Sequence, residues 1–212
     1  MLLCKQNKLQ LNNIISSCMI ISLTAPSGGG KEFLKKELLL HFPILIELCW
    51  TTTRPLRPNE IHGVTREHVS REEFNLLEQH GDLALVQKLF DHSYGIRRQY
   101  LQSNSQNTLT ELHIDNVIAL SKEQTHLLAI ALIPEKIDFL RERLQRRGTE
   151  TARQIEARLE AAAEEIAKIN ANRNLFGLVV EFTEENESSV VERARAFLEM
   201  NINNGSQQTR KD

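Results

Sequence analysis

The residues best suited to chemistry form a glycine-rich turn, Leu23-Thr24-Ala25-Pro26-Ser27-Gly28-Gly29-Gly30-Lys31-Glu32. The turn follows an apolar run at 18–23 and precedes a helical pattern at 33–40. Its glycines let consecutive backbone N–H groups point inward, the start of the helix adds positive potential, and the lysine supplies a mobile cation. A strand, such a turn, a lysine and a helix together predict a phosphate-binding loop.

Two positions of this turn depart from the usual pattern G-x-x-x-x-G-K-[ST]. Ala25 replaces the first glycine, and Glu32 replaces the residue whose hydroxyl normally binds Mg²⁺. A carboxylate 4 Å from a triphosphate oxygen costs about 4 kcal/mol at an effective dielectric constant of 20. Coordination of Mg²⁺ by Glu32 itself, or the positive end of the helix, offsets part of this cost. Glu32 is therefore the candidate metal ligand, and no other residue is assigned that role.

Hydrophobic patterning predicts that strands and helices alternate along the chain. Alternation of this kind indicates an α/β fold with a parallel sheet covered by helices on both faces. The predicted strands span 18–24, 44–50, 83–90, 108–115, 127–133 and 178–182, and the predicted helices span 31–41, 135–146, 151–169 and 188–200. A further helix begins after Ser70, because Ser70 and Glu73 have the spacing of a capping box.

Length and composition limit the kinds of partner. A chain of 212 residues suits one domain, and its net charge of −2 argues against general binding of nucleic acid. The apolar run at 14–23 is too short to cross a membrane. The three cysteines have no metal-binding spacing, which predicts reduced thiols and a cytoplasmic location. Residues 1–17 are expected to form an extension, and the polar residues 201–212 a disordered tail.

Two further motifs, in the same order and spacing, point to a known family. The first is Thr52-Thr53-Arg54-Pro55-Leu56-Arg57-Pro58-Asn59-Glu60, followed by Gly63. It resembles the T-T-R-x-x-R-x-x-E-x-x-G signature of guanylate kinases. The second runs from Arg143 to Glu150 and continues to Arg158, and it is similar to the lid segment of that family.

The resemblance implies the three-layer fold of P-loop kinases, with a parallel central sheet, an inserted acceptor-binding lobe and a mobile lid. The family domain would cover 18–200, the acceptor lobe about 50–97 and the lid about 143–165. Known members transfer the γ-phosphoryl group of ATP to GMP with Mg²⁺. ATP and a phosphorylated small-molecule acceptor are thus the implied partners, and Mg²⁺ the implied cofactor.

The resemblance also implies a role for individual residues. Lys31, Arg143, Arg147 and Arg158 would stabilise the transferring phosphoryl group, because guanidinium groups suit its delocalised charge. Residues that would bind ATP are Ser27, Gly28, Gly29, Gly30, Lys31 and Glu32. Residues that would bind the acceptor are Arg54, Arg57, Arg66, Tyr94 and Asp115, although Asp115 equally suits the N-cap of a following helix.

Several positions that contact metal or guanine in the family are altered. His113 replaces an acid near the metal, whereas Trp50, Leu85 and Ile96 replace polar residues that contact the base. These changes leave two alternatives open beside the nucleoside monophosphate kinase. One is a catalytically impaired module that binds a protein partner, and the other is a kinase for another phosphorylated acceptor such as a phosphosugar.

Overall fold

The computed structural model describes residues 19–56, 63, 66–102, 107–122, 126–183 and 186–208. Arg57, a predicted acceptor residue, lies outside these ranges. The strands are β1 (Ile20–Thr24), β2 (Ile46–Glu47), β3 (Trp50–Thr52), β4 (Arg66–His68), β5 (Leu83–Leu89), β6 (His92–Arg97), β7 (Thr108–Glu111), β8 (Leu127–Pro134) and β9 (Leu178–Phe182). The α-helices are α1 (Lys31–His41), α2 (Arg71–Gln79), α3 (Arg98–Gln102), α4 (Ile114–Ser121), α5 (Asp138–Arg147), α6 (Ala152–Ala171) and α7 (Glu187–Gln208).

The strands form two sheets. The central sheet has the order β2-β7-β1-β8-β9, with β2 parallel to β7 and β8 parallel to β9. This architecture confirms the predicted α/β fold with a parallel central sheet. A second sheet has the order β4-β3-β6-β5, and its β5–β6 hairpin is antiparallel.

The chain divides into two compact units. Among the described residues, unit 1 comprises 19–20, 44–56, 63, 66–102, 107–110 and 126, and unit 2 comprises 21–43, 111–122, 127–183 and 186–208. Unit 1 contains the four-stranded sheet, with Phe74 of α2 buried. Unit 2 contains the glycine-rich turn, the helix α1 and the helices from α4 to α7.

Buried apolar residues of unit 2 fix the position of the turn. The strand β1 is buried at every residue, and β8 is buried from Ala129 onward. The helix α1 buries Leu34 and Leu38, which lie one turn apart on the same face. The turn therefore joins a buried strand to a helix anchored on the core, as the hydrophobic pattern predicted.

Two predicted strands and the start of α4 differ from the structure in ways that bear on the site. The single strand expected at 44–50 is two short strands, β2 and β3. The strand expected to reach Asp115 ends at Glu111, and Asp115 lies in the first turn of α4. The N-cap of α4 is His113, whose ring accepts the backbone N–H of Asp115, so the prediction of Asp115 as N-cap is wrong.

The last helix is longer than its sequence pattern indicated. It continues to Gln208, into the segment expected to be a disordered tail. Ile202 is buried one turn after the buried Leu198, and the Asn201 side chain donates a hydrogen bond to the carbonyl of Phe197. These two contacts accompany the continuation of the helix beyond residue 200, where the sequence pattern predicted its end. Among the described residues, no helix is both long and apolar enough to cross a membrane.

Candidate active site

The glycine-rich turn closes on itself through its backbone. The N–H of Gly29 donates to the carbonyl of Pro26 at 2.9 Å, and Gly30, with φ of 81°, is the N-cap of α1. A Cβ atom on Gly29 would lie 2.8 Å from that carbonyl oxygen and 2.9 Å from the Cβ of Ala25. Only glycine fits this position, and Ala25 is accommodated because its methyl group packs against the space that Gly29 leaves empty.

The side chain of Lys31 lies over the turn. Its Nζ donates to the carbonyl of Ala25 and, at 3.3 Å, to the carbonyl of Pro26. The ammonium group is therefore held beside the backbone N–H groups that start α1. A cation and N–H donors are the groups from which the sequence predicted an anion-binding site.

Arg158 reaches the same turn from α6. The start of α6 is fixed by a capping box between Thr151 and Gln154, and buried Ile155 and Leu159 orient the helix. As a result, Arg158 Nη1 donates to Ser27 Oγ at 2.8 Å, and its Nη2 lies 3.5 Å from a carboxylate oxygen of Glu150. This contact places one predicted lid arginine against the glycine-rich turn.

Arg143 approaches the turn from α5. Its Nη1 would lie 3.3 Å from a Cβ atom on Gly30, and its guanidinium carbon is 5.1 Å from the ring centre of Phe182. Nη2 also donates to Glu187 Oε1 at 2.5 Å. By contrast, Arg147 is exposed at the last residue of α5. The structure thus brings Arg143 and Arg158 to the turn and leaves Arg147 on the surface.

Three acidic partners of this site were not predicted. Glu150 pairs with Arg158 and Glu187 with Arg143, and both acids lie far along the chain from the turn. Glu165 of α6 is the third, because it lies beside His113 and Lys31. No spacing in the sequence connects these residues, since the contacts arise only when helices pack.

Glu165 is the buried acid of this cluster. Its Oε1 lies 3.8 Å from His113 Nε2, and its carboxylate accepts the backbone N–H of Ile114. Burial raises the pKa of Glu165, although Lys31 and His113 oppose the shift. A carboxylate with a raised pKa is less stable in its ionised form in the folded protein than in the unfolded chain.

We expect the Glu165→Gln substitution to stabilise the protein more at pH 8 than at pH 5. Below the ordinary glutamate pKa of about 4.3, folded and unfolded chains are both protonated and burial of the charge has no cost. As pH rises through the raised pKa, the folded parent must bury a charge that glutamine lacks. Thermal melting of parent and variant between pH 4 and pH 8 measures the difference in Tm.

The control is Glu164→Gln, which removes an exposed carboxylate next to Glu165 in α6. Its difference in Tm from the parent should stay flat across the same pH range. A flat difference for Glu165→Gln as well would contradict the raised pKa.

The predicted acceptor residues Arg54, Arg66 and Tyr94 belong to unit 1. Arg66 is paired with Trp50, and Tyr94 is paired with Thr52. Paired residues share a face, as do residues two apart on a strand, so Arg66 and Tyr94 lie on one face of the four-stranded sheet.

Arg54 follows the end of β3 and is buried. Its backbone is fixed by Thr52 Oγ1, which accepts the N–H, and by His68 Nδ1, which donates to the carbonyl at 2.7 Å. Its guanidinium group donates to the carbonyl of Pro55. This network holds the loop in which the family signature begins.

Asp115, the remaining predicted acceptor residue, belongs to unit 2. Its carboxylate is exposed and accepts hydrogen bonds from Lys168 Nζ at 3.0 and 3.2 Å.

The positions that read guanine in the family are apolar and mostly covered here. Trp50 is 4% exposed and donates its Nε1–H to Thr110 Oγ1, while Ile96 is fully buried. Leu85 is half-buried, with φ of 52°, where the pairing of β5 and β6 shifts between Ala84 and Gln87. Trp50 and Ile96 therefore stabilise the sheet and offer no polar atom for a base.

Comparison with known proteins identifies the family of the chain. The family model described as guanylate kinase matches residues 17–199. The chain belongs to the guanylate kinase family. Guanylate kinase of Wolbachia pipientis wMel is 31% identical over 159 residues, which cover 72% of this chain and 78% of that protein. Guanylate kinase of Hahella chejuensis is 31% identical over 148 residues, or 68% of this chain and 71% of that protein.

A solved structure shows the same guanylate kinase fold. Guanylate kinase from Anaplasma phagocytophilum superposes with a TM-score of 0.64 at 23% identity, covering 89% of this chain and 88% of that one. At this identity the likeness concerns the fold alone. Fold, family model and relatives together confirm the family suggested by the three motifs.

Proposed function

We propose that the chain transfers the γ-phosphoryl group of ATP to a nucleoside monophosphate, with GMP as the acceptor. The observation that carries the proposal is the convergence of Lys31, Arg143 and Arg158 on one phosphate-binding loop. Phosphoryl transfer depends mainly on positioning and charge neutralisation, which these cations supply. The two relatives are named guanylate kinases, and they favour neither alternative, the protein-binding module or the phosphosugar kinase.

The donor phosphates would be held in the turn. The N–H groups of Gly28, Gly29 and Gly30 would bind their oxygens, and Lys31 would release the Ala25 carbonyl to neutralise them. Arg158 would leave Ser27 Oγ for the transferring group, and Arg143 would bind beside Gly30. Exchange of a neutral hydroxyl for an anion strengthens the Arg158 hydrogen bond, since charge-assisted bonds are about twice as strong as neutral ones.

Glu32 is the residue that would hold Mg²⁺. Its carboxylate is exposed in the first turn of α1, next to Lys31. Mg²⁺ commonly binds one or two carboxylates together with substrate phosphates, so a single acid at this place fits the ion. Among the described residues, no group of three or more acidic, histidine or cysteine side chains is arranged as a metal site. When bound, Mg²⁺ would neutralise charge on the phosphate oxygens.

The acceptor phosphate would bind to unit 1. Arg54 and Arg66 would supply cations and Tyr94 a hydroxyl donor, as the resemblance implies. Arg57 remains a proposed cation for the acceptor phosphate. Asp115 remains a proposed carboxylate for the guanine edge, and Arg147 remains a proposed lid residue. Removal of any one phosphate cation would raise the KM for the acceptor, because it weakens a charge-assisted hydrogen bond.

A coupled assay of ADP release tests the proposal. The full chain is supplied with ATP, Mg²⁺ and each of GMP, AMP, CMP and UMP, and then with GMP after chelation of the metal. We expect ADP release with GMP and its loss on chelation. Absence of ADP release with every acceptor would refute the kinase proposal.

We expect Leu85→Glu to lower the KM for GMP by about 10- to 100-fold. In the family this position carries the glutamate that accepts hydrogen bonds from the guanine edge, and such bonds to a charged group contribute about 1.5–3 kcal/mol. The measurement is the KM for GMP beside the KM for AMP. Leu85→Gln is the matched control, because it keeps the size and lacks the charge. An equal change for GMP and AMP would contradict a role in reading guanine.

A cytoplasmic location completes the proposal. Nucleotide substrates are consistent with it, and so is Cys49, which is a free thiol in the described part of the chain. Burial raises the pKa of the Cys49 thiol, which lowers its reactivity.

A further inference from the structure

Unit 1 contains a cavity of about 300 Å³ that the proposed reaction does not use. It lies between the helix α2 and the tip of the β5–β6 hairpin, and Arg71, Asn75, Lys88 and Ser93 are among its lining residues. Its volume is at the lower end of the range for small-molecule sites, which is about 300–1,000 Å³.

The helix α2 and the β5–β6 hairpin each contribute polar side chains to the lining of this cavity. Arg71 and Asn75 are four residues apart on α2 and therefore lie on one side of the helix. Lys88 and Ser93 are direct partners in the hairpin, so they share a face of the sheet. Two cations, an amide and a hydroxyl thus converge from two directions.

The Arg71 guanidinium group is already oriented at the cavity. Its Nη2 donates to the carbonyl of Asp91 at 3.1 Å, and within the described residues this is its one hydrogen bond. A guanidinium group has five N–H donors in a planar fork, so it keeps donors for the oxygens of a phosphate. Asp91 is the acid among the described lining residues, against the two cations Arg71 and Lys88.

Phe90 adds an aromatic surface to the cavity. It lines the cavity, is 55% exposed and has φ of 54° at the hairpin tip. A positive φ is strained for a bulky side chain, and residues with such backbone strain cluster at functional sites. An exposed ring beside cations matches a ligand that has both a planar ring and a phosphate.

Two residues that line the cavity directly precede acceptor residues in the chain. Thr53 and Ser93 line it and are joined by two hydrogen bonds, from Thr53 N–H to the Ser93 carbonyl and from Ser93 N–H to Thr53 Oγ1. The next residues in the chain are Arg54 and Tyr94, two of the proposed acceptor residues. Ser93 and Tyr94 are neighbours in β6 and face opposite sides of the sheet, so an occupant beside Ser93 would sit against the face opposite Tyr94.

We propose that this cavity is a second nucleotide site, which binds a nucleoside monophosphate. Through Thr53 and Ser93, the bound nucleotide changes the positions of the acceptor residues Arg54 and Tyr94. Arg71 and Lys88 bind the phosphate, Asn75 hydrogen-bonds to the base and Phe90 stacks on its ring. The binding itself does not depend on the kinase activity, whereas the effect on the acceptor residues rests on the proposed function.

Equilibrium dialysis of the full chain with GMP, in the absence of ATP, tests the proposal. We expect two equivalents of GMP per parent chain and one for the variant with Arg71→Glu and Lys88→Glu. If the acceptor site of the proposed function does not bind GMP, these numbers become one and none. Equal stoichiometry in parent and variant overturns the second site in either case. The matched control is Lys136→Glu with Arg193→Glu, two exposed cations of unit 2.

The role of the ring is tested separately with Phe90→Gly. Glycine adopts a positive φ without strain, so its Tm should equal or exceed that of the parent. We expect GMP to bind this cavity at least about 10-fold more weakly in the variant, as loss of a stacking interaction predicts. Unchanged affinity overturns the role of Phe90. Inorganic phosphate that displaces GMP at equal concentration would show a plain anion site and overturn the nucleotide assignment.

Discussion

Replacement of Lys31 by methionine is expected to lower kcat about 10²- to 10³-fold. Its ammonium group lies on the carbonyls of Ala25 and Pro26, at the mouth of the phosphate-binding loop. Removal of one preorganised cation or donor from a site where charge develops has effects of this size. Steady-state rates with ATP and GMP at saturation measure the loss.

The matched control is Lys36→Met, which removes an exposed lysine from the same helix, α1. Its kcat should equal that of the parent. The Tm of both variants is measured beside the rates, because Lys31→Met also loses the hydrogen bonds to the carbonyls of Ala25 and Pro26. Equal rates for the two variants would exclude Lys31 from phosphoryl transfer.

The local elements of unit 2 could be predicted from sequence because each has its own start and stop signals. The helix α1 spans the predicted residues because Gly30 permits the turn before it and Pro43 follows its end. The strand β9 has its predicted bounds as well. Buried apolar runs specify such elements without reference to the rest of the chain.

The end of β7 was mispredicted because two interactions compete at His113. Strand pairing stops at Glu111, and His113 instead accepts the N–H of Asp115 and starts α4. Histidine is an unusual N-cap, since serine, threonine, aspartate and asparagine are preferred. The His113 ring also lies 3.8 Å from a carboxylate oxygen of Glu165, which belongs to α6. A contact between residues so distant in sequence leaves no local pattern.

The candidate site was likewise predicted in part. The turn and its lysine follow from local sequence, and the lid arginines follow from family resemblance. Which arginines reach the turn depends on helix packing: Leu140 and Leu144 bury one face of α5 and leave Arg147 exposed. Arg143 instead contacts Phe182 and Glu187, residues of the last strand and the last helix.

Replacement of Arg158 by alanine is expected to lower kcat about 10³-fold, which is the lower end of the range for arginines that stabilise a transferring phosphoryl group. The resting contact with Ser27 Oγ holds the guanidinium group at the loop before the reaction. When a substitution removes an interaction that is stronger in the transition state than in the ground state, kcat falls. The affinity for ATP, measured by calorimetry, should therefore change much less than kcat.

Two further variants separate charge, geometry and fold. Arg158→Lys keeps the charge and loses the planar fork, so its kcat should lie between those of the parent and Arg158→Ala. Arg153→Ala removes an exposed arginine from the same helix, α6, and should retain the parent kcat. Equal losses of kcat and of ATP affinity in Arg158→Ala would mean that Arg158 only binds the donor. A large fall in Tm would instead assign it to the packing of α6, because Glu150, its partner, is nearly buried and would lose its counter-charge.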